Sequence, residues 1–167
     1  MISSICVLIM LIGATYTDIR YRKIFNIWLL FWLLIGVYLN RINFIVLVCS
    51  SVLVLLIFHI LRMIGAGDIK LIAIIIGYMG VGNGIKFVFT GLLLSAIYSL
   101  YLMYSKKILF SRLKYFSDYV MLSINSKTIF KYYDKKRDDI GVSIALAPWI
   151  LLGFCIWRLC DIWLLKI

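Results

Sequence analysis

Residues 42 to 60 read INFIVLVCSSVLVLLIFHI, nineteen positions without one formally charged side chain. This block constrains the fold more than any other feature. A helix of about 20 apolar residues crosses the roughly 30 Å of bilayer hydrocarbon. Similar blocks fill most of the chain, which is 65% hydrophobic and only 15% charged. Soluble domains hold roughly 45–50% apolar and about 25% charged residues, too few apolar side chains to produce such runs. In lipid every backbone polar group must pair within its own segment, so the expected fold class is all-α: a polytopic membrane helical bundle.

About six spans are expected, at 2–17, 24–39, 42–64, 69–82, 85–104 and 140–164, within a single membrane-embedded domain over 1–167. The opening MISSICVLIMLIGAT resembles the apolar part of a signal peptide but has no basic residues ahead of it, and is read as the first span. Between the last two spans lies a loop over about 105–139. In it Leu109, Leu113, Phe116, Val120 and Ile124 recur at helical spacing, which predicts an amphipathic helix. Such a helix either lies in the membrane interface or packs over the ends of the spans.

The net charge of +11 raises the possibility of a nucleic-acid partner. Its distribution argues for topology instead. One face of the six-span map carries fourteen basic residues and the other carries four, Arg41, Lys86, Arg158 and Lys166. The positive-inside rule makes the richer face cytoplasmic, and both termini then lie outside. Membrane lipid is expected as a partner and nucleic acid is not. Cys6, Cys49, Cys155 and Cys160 form no C-x-x-C pair and are expected to be buried structural cysteines. His59 is the only histidine, so no metal site and no cofactor are expected.

All seven acidic residues are aspartates. Asp118, Asp134, Asp138 and Asp139 belong to the long loop and are expected in solvent. Asp161 follows Arg158 by three residues, the spacing of an ion pair on one helix face. Asp18 and Asp68 differ, because each lies where an apolar span meets a basic segment on the cytoplasmic side. Ionisable groups there mark function by default. Two carboxylates brought close share a proton, so that one takes a proton from water while the other polarises a carbonyl. Gly65 and Gly67, just ahead of Asp68 in GAGDIKL, have two readings. They give a peptide backbone room beside the aspartate, or they simply break the helix between two spans. Lys70 likewise either serves the dyad or substrate, or anchors the helix at the interface.

GAGDIKL resembles the G-x-G-D-x-K-L signature of the type IV prepilin peptidases, a branch of the GxGD membrane aspartic proteases. TDIRYRKIFN resembles that family's first aspartate motif, where Ile-Pro-Asn follows basic residues; here Ile24, Phe25 and Asn26 stand in those places. IALAPWILLG resembles the family's late Pro-x-x-Pro segment, with Ala145 at the first proline and Pro148 at the second. The resemblance runs from the first span to the last. It implies that Asp18 and Asp68 are the catalytic pair and that Gly65, Gly67, Lys70 and Asn26 support them or the substrate. It also implies a peptidase that removes the leader of prepilin-like proteins at the cytoplasmic face of the cell membrane. The methyltransferase region with paired C-x-x-C motifs, found in many bacterial members, has no counterpart here. The competing reading is non-enzymatic: a small transporter or assembly subunit that uses the aspartates as a proton or cation site.

Overall fold

The computed structural model describes residues 2–61, 64–107, 109–126 and 144–164, and is all-helical. Among the described residues five helices follow one another: α1 (Ile2–Tyr21), α2 (Asn26–Ile60), α3 (Ala66–Ser105), α4 (Leu109–Ser126) and α5 (Ala147–Leu164). Of these, α1, α2 and α3 are long and apolar enough to cross a membrane. The chain divides into two compact units, Met1–Ser95 with Ala145–Ile167, and Ala96–Ile144.

Among the described residues fewer helices appear than the spans expected, because the interruption expected at 40–41 shrinks to one residue and the one expected at 83–84 is replaced by a single residue at 80. Within α2 only Arg41 leaves the helical region (φ 50°, ψ −131°), and within α3 only Gly80 does (φ 76°, ψ 165°). Both nevertheless reverse the chain. In an unbroken helix residues eight apart stand about 12 Å apart along the axis. Yet the Phe44 ring fills the space over Gly36, and a Cβ built on Gly84 would stand 2.8 Å from the Ile76 Cα.

In the first unit, α1 packs on α5 and α2. Its buried face is Val7, Met10, Leu11 and Ala14, a helical stripe that continues to Asp18. The Trp28 indole N–H donates to the Met10 carbonyl at 3.1 Å, with its ring lying over Gly13. The first half of α3 is the innermost segment. Every residue from Leu71 to Tyr78 is buried, as expected of a helix that is apolar all round. Phe44 packs edge-on against Tyr78, whose hydroxyl donates to the Trp32 carbonyl at 2.7 Å. Such a bond contributes about 1 kcal/mol net, and more would be lost if the buried hydroxyl were left unpaired. The outward faces remain strongly apolar, including Ile27, Tyr38 and Leu53. A broad apolar exterior suits lipid and not water.

Gly80 combines its positive φ with an extended ψ, a region essentially reserved for glycine, and no atom lies within 4 Å of where its Cβ would be. Gly80→Ala should therefore lower stability in detergent by about 1–3 kcal/mol through backbone strain alone. Gly82→Ala, equally uncrowded but without a positive φ, should leave stability unchanged or raise it by up to about 1 kcal/mol. Thermal unfolding of the two variants checks the contrast; equal effects would contradict it.

In the second unit, the loop expected at 105–139 contains helix α4, as its apolar periodicity predicted. Lys107 turns the chain ahead of it with φ 55°. Asp118 is exposed; Asp134, Asp138 and Asp139 lie outside the described residues. Back in the first unit, Cys49 and Cys160 are exposed, not buried as expected. They sit on the apolar outer surface, where a small hydrophobe faces lipid as readily as a core.

Candidate active site

Asp18 occupies the last turn of α1, a turn longer than the span expected to end at 17. Its carbonyl accepts from the Arg22 N–H at 3.0 Å, and the helix stops there. Continuing the buried stripe, it is the only described charged residue in the core, 7% exposed. The C-terminal turn of a helix carries a partial negative charge and disfavours a carboxylate. The compensation comes from α5. The Ala147 backbone N–H donates to Asp18 Oδ2 at 3.1 Å, across 129 residues of sequence.

That bond takes up one of the free donors at the N-terminus of α5. A helix begins with four N–H groups lacking an intrahelical partner. Here Trp149 and Ile150 donate to the Leu146 carbonyl at 3.1 and 3.2 Å, Pro148 has no N–H, and Ala147 donates to Asp18. The span expected from 140 instead begins its helix at Ala147, with Ile144 to Leu146 non-helical. Proline belongs in a first turn because it lacks a donor that would otherwise go unmet.

Asp68 lies in the first turn of α3. Gly65 ends the preceding connection, and its carbonyl accepts from the Ile69 N–H at 3.2 Å. In return the Gly65 N–H donates to the Asp68 carboxylate. This is one half of a capping box. A Cβ on Gly65 would stand 3.0 Å from Asp68 Oδ2, so glycine leaves room for the carboxylate to fold back. Gly67 is different: its Cβ would meet Ile24 at an ordinary 3.5 Å. The two glycines therefore begin a helix. α3 starts at Ala66, three residues before the span expected at 69–82.

The structure brings the two aspartates within electrostatic range of each other. No protein-family model, curated protein or solved structure matches this chain. What the site does must be read from its own geometry.

Asp18 faces the first amide of α5, and Asp68 belongs to the first turn of α3. Helix N-termini favour negative charge by about 0.3–1 kcal/mol each when exposed, and by up to about 2 kcal/mol when partly buried. A third N-terminus is tied to that of α3. Lys70 Nζ donates to Asn26 Oδ1 at 3.0 Å, joining the first turns of α3 and α2. Phe25, where the resembled motif has proline, holds φ −70°, the angle a proline ring imposes, so the substitution leaves the backbone course intact. Asn26 and Lys70 also form the polar end of a cleft of about 330 Å³, otherwise lined by apolar side chains including Leu30, Leu33, Val48 and Ala73.

His59 and Asp161 lie apart from this group in their bonding. His59 Nδ1 is 3.2 Å from the Ile64 carbonyl. Asp161 pairs with Arg158 at 3.6 Å, as their spacing predicted. Sequence reasoning passed over the Ala147 amide, because backbone donors leave no mark in residue identity. Pro148 at the head of an apolar run was the available signal.

Proposed function

We propose that the protein is a membrane aspartic endopeptidase, which removes the leader of type IV prepilin-like proteins at the cytoplasmic face. One observation carries the reading. Two aspartates fifty positions apart meet within electrostatic range, each held by an amide at a helix N-terminus. The paired carboxylates share a proton: the ionised one takes a proton from water, and the protonated one polarises the scissile carbonyl. This needs no covalent intermediate. The apolar cleft beside Lys70 takes the substrate's membrane stem, while its leader extends past the dyad into the cytoplasm. A transport path would spread its acidic groups through the membrane depth. The two carboxylates instead lie within electrostatic range of each other, which favours hydrolysis over the transporter reading.

In this reading the chain crosses the membrane six times, through α1, the two halves of α2, the two halves of α3, and α5. Incubation of the purified protein with a prepilin-like substrate in detergent tests the activity: release of the leader is expected, and an intact substrate overturns the proposal. Reporter fusions test the topology. A fusion after residue 125 should report cytoplasm and one at the C-terminus should report the outside. A cytoplasmic C-terminus would remove one span from the map.

A further inference from the structure

We infer that the backbone N–H of Ala147 is a positioning group for Asp18, and that α5 serves the reaction through that amide and not through any side chain. The inference rests on the peptidase reading. Asp18 has rotamer freedom to lose and stands at the unfavourable end of its own helix, so α1 alone does not fix its carboxylate. Around it, α1 offers Arg20, whose guanidinium lies over the Tyr21 ring, and just past its end the backbone N–H of Arg22 goes to the Asp18 carbonyl. α3 offers Asp68, a like charge that repels. The charged side chains of α5 within the described residues, Arg158 and Asp161, pair with each other near its other end. The Ala147 N–H reaches the Asp18 carboxylate from beyond its own helix and attracts it, at 3.1 Å to Oδ2. It leaves the other oxygen, Oδ1, for water or for the proton shared with Asp68.

The bond depends on two features of α5. Ala147 is fully buried, so water does not replace its N–H. Pro148 removes the next donor, so a single amide of this turn addresses the carboxylate and one oxygen is selected. A second free N–H in that place would compete for the carboxylate and blur the choice.

The test compares Ala147→Pro, which deletes the N–H at a helix position where proline is tolerated, with the conservative Ala147→Gly, which keeps it. Leader cleavage is followed at several substrate concentrations. A hydrogen bond to a charged group corresponds to roughly ten- to a hundredfold in rate. The proline variant should lose about that factor in kcat with KM unchanged, and glycine should recover most of it. Should the proline variant fail to elute as a folded species, replacing the Ala147 amide by an ester exchanges its N–H for an oxygen while keeping the side chain, and decides the matter, with the same exchange at Trp149, which leaves the Ala147 N–H in place, as the control for altered carbonyls. A kcat within twofold of wild type on losing the N–H, or a loss confined to KM, overturns the inference while leaving the peptidase reading intact. If wild type itself cuts no prepilin-like substrate, the reading falls and the inference with it.

Discussion

Asp18→Asn and Asp68→Asn should each reduce leader cleavage by at least about a thousandfold, the scale seen when a member of a catalytic unit is removed. Asparagine is nearly isosteric with aspartate, but it neither takes a proton from water nor holds the shared one. Folding should survive. In the first variant the introduced amide oxygen still accepts from the Ala147 N–H, and in the second it still accepts from Gly65, so no buried donor is orphaned. If the carboxylates act as one unit, as proposed, the double variant should be no slower than either single one. Asp161→Asn is the control. Its partner Arg158 stands 3.6 Å away and both side chains are more than a third exposed, a class of ion pair worth at most about 1 kcal/mol. Robust cleavage by either single dyad variant would refute the mechanism.

Gly91→Val should be the most damaging change outside the dyad. A Cβ on Gly91 would stand 2.6 Å from the Ile150 Cα and 2.9 Å from the Trp149 carbonyl oxygen; a Cβ on Gly153 would stand 2.6 Å from the Gly91 nitrogen. Here α3 and α5 touch backbone to backbone, in the manner of small residues at membrane helix interfaces. Crowding against a side-chain tip is relieved by a rotamer change, whereas backbone does not yield, so α5 must withdraw as a body. Overpacking typically costs about 1–3 kcal/mol, and this position should reach the upper end or beyond. Cleavage should fall with stability, because the displaced helix carries the amide that holds Asp18. Thermal unfolding in detergent and the cleavage rate measure the two effects; a Gly91→Val protein with wild-type melting and activity would show that the helices do not meet this closely.

Much of this arrangement was legible in the residues. Apolar blocks named the helices, because lipid leaves a chain few other ways to satisfy its backbone. The stripe Val7, Leu11, Ala14, Asp18 runs at helical spacing, and the next position on a buried face is buried whatever occupies it. The boundaries were less legible. The interruption expected at 40–41 falls at Arg41, whereas the one expected at 83–84 falls at Gly80, inside the expected span 69–82. The helix at Ala66 was obscured by its own glycines, which read as a loop; the fold-back of Asp68 onto Gly65 overrides their poor propensity. Contacts across the fold were the least legible. Neither the Lys70–Asn26 bond, 44 positions apart, nor the Ala147–Asp18 bond follows from any local pattern.

The reach of that last bond bears on when a working site can exist. One aspartate is made early in synthesis, and the amide that holds it only after 129 more residues have been joined. Contacts so distant in sequence close late, because the intervening chain must first find its own place. A growing chain can therefore carry both acidic groups and still lack their final geometry. On the peptidase reading, arrival of the last helix completes the pair, and a nascent fragment carries Asp18 without the amide that holds it.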